Sequence, residues 1–198
     1  MSRSLGPDEH HQLRSLLRQD LRAEGGVLTL DQIVRRGFGQ VTDGLPRKTL
    51  ELRPLVTTKT ARLITFVAAE QAFLAVPPRV LLHAVVLAEG RQLLQIPPEQ
   101  LRLMPPRSDL RSPDAVWERG GPGADLDVAV ECDAGYAPKV VAAKLNAFGP
   151  PPPHHLGGGY AGYASSIWIT TSAVRARHLR DRFAGKLRHP CTFVSVEV

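Results

Sequence analysis

Three carboxylates and one lysine in this chain have the types and spacing of a hydrolytic metal site. The run Asp127 to Asp133 alternates strictly, so a strand there turns Val128, Val130 and Cys132 to one face and Asp127, Glu131 and Asp133 to the other. A Pro113-Asp114 step precedes it, and Lys144 follows in a segment that Pro138 can open as a helix to Phe148. Two or three such carboxylates can hold Mg²⁺ or Mn²⁺ with water still attached. The ion then stabilises charge building on a phosphate, and an ammonium assists. At about 100° per residue, Val140, Val141, Leu145, Ala147 and Phe148 cover an arc centred near Lys144, which therefore points at the sheet. Lys139 falls about 140° away and points to solvent. An unpaired ammonium on a buried face costs roughly several kcal/mol, so Lys144 is expected to meet Glu131 or Asp133. The same four residues also read as a structural ion-pair cluster, because perturbed charges mark function only in part of the cases where they occur.

The elements that must position these residues follow from periodicity. Leu13, Leu16, Leu17 and Leu21 form a helical stripe over Asp8 to Arg22, with Pro7, Asp8 and Glu9 in first-turn positions. Thr29 and Gln32 make a capping-box pattern that opens a short helix from Leu30 to Arg36, ended by Gly37 and Gly39. Pro46 can open a third helix through Arg53. Leu55 to Val67 then reads as two strands around Thr57-Thr58-Lys59-Thr60. Three short helices and a hairpin outline a winged helix over residues 1–77, with Arg47, Lys48, Lys59 and Arg62 as the expected phosphate contacts.

Beyond Pro78 the pattern changes. Val80 to Glu89 reads as a buried helix, Leu101 to Met104 and Ala115 to Glu118 as strands, and Asp127 to Asp133 as the alternating strand. After the helix from Pro138, the Pro/Gly-rich insert 149–159 contains His154 and His155, whose adjacency does not suit zinc. Tyr160 and Tyr163 lie beside it and read either as base-stacking or as docked aromatics. A strand Ser166 to Thr170, a helix from Ala173 to Leu187 with stripe Ala176, Leu179, Phe183 and Leu187, and a strand Thr192 to Val198 complete the second domain, 78–198.

Charge and composition bound the function. The chain of 198 residues carries 25 Lys and Arg against 19 Asp and Glu, a formal balance of +6 that favours a polyanionic partner. Acids concentrate at Asp114, Glu118, Asp125, Asp127, Glu131 and Asp133, and bases at Arg175, Arg177, Arg180, Arg182, Lys186 and Arg188. An enzyme that holds a metal near a phosphate needs both kinds of surface, although solvated faces would look the same. The run Val80 to Ala88 is broken by His83, itself expected as a core histidine, and is far short of the roughly 20 residues that cross a bilayer. Met1 to Leu5 lacks an apolar signal region, so a cytoplasmic location and no membrane partner are expected. Cys132 and Cys191 read as buried reduced thiols, and Trp168 as core. The absence of a phosphate-binding glycine loop, a dinucleotide fingerprint and a nucleophile elbow excludes the enzymes that carry those motifs.

Pro113-Asp114-Ala115, then Val130-Glu131-Cys132-Asp133-Ala134-Gly135, then Lys144-Leu145 with Phe148, together resemble the replication-relaxation family of bacterial and plasmid proteins. The likeness spans roughly Leu82 to Phe148, with His83 where members often carry a histidine. Ala134, Tyr136 and Phe148 depart from the arginine, threonine and tyrosine of the family pattern. The resemblance implies an α/β protein in which an N-terminal winged-helix-like domain precedes a restriction-endonuclease-like αβββαβ core with a mixed sheet, the PD-(D/E)xK type. It also implies that Asp114, Glu131, Asp133 and Lys144 take the catalytic positions, with Asp114, Glu131 and Asp133 toward the metal. Because Asp133 stands where the usual lysine would be, Lys144 supplies that charge from the helix. The implied function is a DNA-binding protein with a nuclease-like domain serving plasmid or chromosome replication, transfer or repair. Two alternatives accompany it: an active endonuclease dependent on Mg²⁺ or Mn²⁺, and a winged-helix transcription regulator with an inactive nuclease-like scaffold. The regulator asks for a symmetric homodimer that sets its two winged helices about 34–36 Å apart.

Overall fold

The computed structural model describes residues 6–54, 60–105, 110–120, 126–149, 162–187 and 189–198. The protein is mixed α/β, with a three-stranded antiparallel sheet and a five-stranded mixed sheet. It divides into two compact units between Glu89 and Gly90, the first also including Val198. Among the described residues no helix is long and apolar enough to cross a membrane.

The first unit begins with α1 (Pro7–Ala23), whose entry is fixed by Pro7 and by Glu9, whose carboxylate accepts the Gly6 N–H at 3.1 Å. Leu17 and Leu21 are fully buried, whereas Leu16 is half exposed, so the stripe that covers the core is narrower than the leucine spacing suggests. Strand β1 (Val27–Thr29) leads directly into α2 (Leu30–Arg35). The expected capping box closes both ways: the Thr29 N–H donates to Gln32 Oε1 at 2.8 Å, and the Gln32 N–H donates to Thr29 Oγ1 at 3.1 Å. Gln32 is itself buried, and its side-chain amide donates to the Val85 carbonyl at 2.7 Å and to Glu89 Oε2 at 3.0 Å.

The third helix expected from Pro46 to Arg53 is a strand, β2 (Arg47–Leu52). Its residues alternate exposed and half-buried, and all six pair with β3 (Arg62–Ala68) in antiparallel register. The Pro46 carbonyl accepts the Ala68 N–H at 3.0 Å. Proline suits the first residue before a strand as well as the first turn of a helix, and cross-strand pairing decided between the two. Between α2 and β2 there is only a 3-10 turn, Gly39–Val41. The expected first strand of the hairpin, from Leu55, begins outside the described residues. The sheet runs β1-β3-β2, and Leu17, Leu21, Leu28, Ile33, Val41, Leu45, Val67, Ala69 and Ala88 form the core on one side of it.

Helix α3 (Pro78–Leu93) extends the expected helix at both ends, and the division between the units falls within it. In the second unit, β4 (Leu101–Leu103), β5 (Ala115–Trp117), β6 (Val128–Cys132), α4 (Pro138–Phe148), β7 (Ser165–Thr170), α5 (Ala173–Phe183) and β8 (Cys191–Ser195) follow in the expected order. The strands lie in sequence order across the sheet, antiparallel from β4 to β6 and parallel from β6 to β8. Helices α4 and α5 share one face: Val141, Leu145 and Phe148 from α4 and Leu179 from α5 join Ala129, Trp168 and Phe193 of the sheet. Gly90, at the start of this unit, permits a close approach to the sheet, since a Cβ there would stand 2.2 Å from Ile169 Cδ1. Helix α5 stops at Phe183, short of the expected Leu187, because a turn with Gly185 at φ 65° breaks it. Leu187 still packs on the same core, so the i+4 stripe outlasts the helix. Cys132 and Trp168 are buried, and both cysteines are free thiols.

Replacing Thr29 by Ala removes one half of a buried reciprocal cap and leaves the Gln32 N–H without its acceptor. A loss of about 1 kcal/mol in urea unfolding is expected, largely restored by Thr29→Ser, which keeps the hydroxyl.

Candidate functional site

Asp114 immediately precedes β5, and Ala115 pairs with Val130, so the next rung of the ladder sets Asp114 beside Glu131. Its place is held from both sides: its carbonyl accepts the Met104 N–H at 3.0 Å, and its carboxylate Oδ2 accepts the Cys132 N–H at 2.8 Å. Glu131 occupies the last full rung but one of β6, flanked by β5 and by Trp168 of β7. From α4, Lys144 reaches down and donates to Glu131 Oε1, as the helical arc predicted. The glutamate side chain is 0% exposed and the lysine 14%. Lys139 is exposed. Burial and the neighbouring Asp114 carboxylate push the Glu131 carboxyl up to about 8, against the opposing pull of Lys144 and of the Asp114 N–H.

Asp133 belongs to a different cluster. Its Oδ1 accepts the N–H groups of Gly135 at 2.8 Å and Tyr136 at 3.2 Å, which ties down a turn with Gly135 at φ 82°. Its Oδ2 accepts from Arg175 Nε at 2.8 Å, and the same guanidinium donates to the Tyr136 carbonyl. The Asp133 side chain is 0% exposed. Tyr136 in turn meets Trp168 edge-on at 6.2 Å. Arg175 is therefore a residue of this site, although in the sequence it is one base among the six of a basic segment. Its one sequence signal is its place three residues after Ser172, which caps α5 by accepting the Arg175 N–H at 3.2 Å.

The structure thus brings Asp114, Glu131 and Lys144 together and gives Asp133 its own cation. Among the described residues no three His, Cys, Asp or Glu side chains are grouped to hold a metal ion. The Mg²⁺ or Mn²⁺ that the family resemblance implies does not fit this arrangement. Glu131 Oε2 is buried without a hydrogen bond, but a glutamate with no exposed surface leaves no place for the waters that Mg²⁺ keeps.

The remaining candidates are distributed as follows. Arg47 donates to Thr42 Oγ1 at 2.9 Å and to Asp43 Oδ1 at 3.3 Å, Lys48 to the Leu74 carbonyl at 3.1 Å, and Arg62 to the Val198 carbonyl. Lys59, His154, His155 and Tyr160 lie outside the described residues. Tyr163 docks edge-on against Phe148 at 5.8 Å. Burial pushes the Cys191 thiol up to about 11, which makes it a poor nucleophile at neutral pH. On the helical layer over the sheet, Lys144, Arg175 and Arg180 make hydrogen bonds within the protein, while Lys139, Arg177 and Arg182 face solvent.

Comparison of the chain with protein-family models, with curated proteins and with solved structures returns no match.

A carboxyl that keeps its proton to about pH 8 in the folded chain, but releases it near 4.5 when unfolded, makes the folded state bind more protons between those values. Stability is therefore expected to decline as pH rises through that window and to level off above about 8. Glu131→Gln cannot ionise, and its unfolding free energy, followed by urea titration across the same range, should lack this decline.

Proposed function

We propose that this is a DNA-binding protein whose second unit is a nuclease-like domain, acting in plasmid or chromosome replication, transfer or repair. The observation that carries the reading is the convergence of Asp114, at the entry to β5, and Glu131, on the adjacent strand β6, with Lys144 from the helix that follows. The order β4, β5, β6, α4, β7 supports it, being the βββαβ part of a restriction-endonuclease-like core, although most of α3, the helix expected to open that core, belongs to the first unit. In the first unit, α1, β1, α2, a short turn, β2 and β3, with the sheet ordered β1-β3-β2, agree with a winged helix whose groove-entering helix is reduced to the turn Gly39–Val41. Such a unit would grip DNA mainly through phosphates rather than by laying a helix along base edges. The balance of +6 and the outward cations Lys139, Arg177 and Arg182 of the second unit point to the same polyanionic partner.

An active Mg²⁺-dependent endonuclease is the second reading, favoured by the half-buried Asp114 beside Glu131. Against it stand the sealed glutamate and the commitment of Asp133 to Arg175. Binding without cleavage is therefore the expected behaviour on supercoiled and branched DNA in Mg²⁺ or Mn²⁺.

Duplex affinity, followed by fluorescence anisotropy, should fall as salt rises. The double variant Arg177→Glu and Arg182→Glu should bind more weakly and show a shallower log–log salt slope, by about 1 for each phosphate contact removed. An affinity that does not change with salt, or no binding at low salt, would sink the reading.

A further inference from the structure

We infer that Lys144 and Arg175 stand in for the divalent cation of a metal-dependent nuclease, so that the second unit engages DNA without a metal ion. The inference rests on the nuclease-like reading above and deepens it. Each of the three carboxylates at the implied ligand positions already has a partner within the chain. Asp114 Oδ2 accepts the Cys132 N–H, Glu131 Oε1 accepts from Lys144 Nζ, and Asp133 accepts from two backbone N–H groups and from Arg175 Nε. The two side-chain cations stand in separate clusters, Lys144 at Glu131 beside Asp114 and Arg175 at Asp133, and together they bring the positive charge of one divalent ion. The charge balance that a metal would provide is thus achieved by the polypeptide.

Geometry makes the substitution hard to reverse. Lys144 cannot swing away freely, because the neighbouring residues Val141, Leu145 and Phe148 fix α4 in the fully buried core over the sheet. Arg175 is held at two points, Asp133 Oδ2 and the Tyr136 carbonyl, and its backbone is capped by Ser172. An incoming ion would have to displace a paired ammonium from a glutamate that has no exposed surface, and leave that ammonium without its counter-ion. Asp133 is equally closed, with its side chain 0% exposed. Asp133 is thus closed off by Arg175, and Glu131 by Lys144 from α4.

The experiment measures Glu131-dependent uptake of Mn²⁺ by the full chain, as the difference in calorimetric titration between the wild type and Glu131→Gln. In parallel, duplex DNA affinity is measured in excess EDTA and in Mg²⁺ at matched ionic strength. The expected results are no Glu131-dependent Mn²⁺ uptake and equal DNA affinity in the two media. Stoichiometric Mn²⁺ uptake that Glu131→Gln abolishes, or DNA affinity at least tenfold higher in Mg²⁺, overturns the inference. Lys144→Ala should create the site it now fills, taking up one Mn²⁺ that is lost again when Glu131→Gln is added. A folded Lys144→Ala chain without that gain also overturns it. Should Lys144→Ala fail to fold by circular dichroism, the wild-type difference decides, together with the neutral pair Glu131→Gln and Lys144→Met, which should fold and take up no Mn²⁺. No DNA binding in either medium would defeat the DNA reading, and the Mn²⁺ measurement would then judge the cation substitution alone.

Discussion

Glu131 and Lys144 lie in the middle of the second unit's main core, with almost no water to solvate either of them, and each makes the other tolerable. An ionised carboxylate in such a place costs about several kcal/mol after relaxation, the ammonium offsets part of that cost while it stays in contact, and the remainder holds the proton on Glu131 up to about pH 8. The contact imposes a strict geometry. It fixes the rotation of α4 about its axis, since only one face of the helix can bring Lys144 to β6 while Val141, Leu145 and Phe148 fill the space against Trp168 and Phe193. It also fixes the register of β5 against β6, because a shift of one residue would carry Asp114 off its hydrogen bond to the Cys132 N–H and turn Glu131 to the other face.

A second charge pair does related work at the end of the same strand. Arg175 and Asp133 join the β6–α4 turn to the first turn of α5. The two crossover helices are thus tied to one sheet end by charges from different parts of the chain. Inward-facing and outward-facing cations on this helical layer have separate roles: Lys144 and Arg175 are spent on buried acidic side chains, exposed Arg180 on the Phe193 carbonyl, and Lys139, Arg177 and Arg182 remain for whatever lies outside. A net charge read from composition does not make that separation, and only the inward group explains why an acidic strand can be buried.

What the sequence reveals depends on how local the deciding interaction is. Helix α4 was legible to the residue, and the approach of Lys144 to Glu131 followed from a helical wheel, because strand and helix are adjacent in the chain and the pair spans only 13 positions. The succession of elements in the second unit was legible for the same reason. Arg175 was not, since its partner lies 42 residues away and the pairing exists only once β7 has been laid beside β6. The segment Arg47 to Leu52 misled because Pro46 opens helices and strands alike, and the evidence for a strand sits in β3 rather than in the segment itself. Leu16 and Leu187 show the reverse case: helical spacing placed one in a core it does not enter and the other in a helix that had already ended.

Among the described residues, β6 is the only strand of the larger sheet with an antiparallel neighbour on one side and a parallel neighbour on the other. Pairing toward β4 needs only short closures of the chain, which cost little conformational entropy, whereas pairing toward β8 requires two whole crossovers, each with a helix laid across the sheet, before any strand contact is gained. Assembly of the two halves is therefore unequal in contact order. The antiparallel half can form as a local template, and the parallel half, with the crossover helices that carry both buried charge pairs, is the part whose completion waits on long-range search.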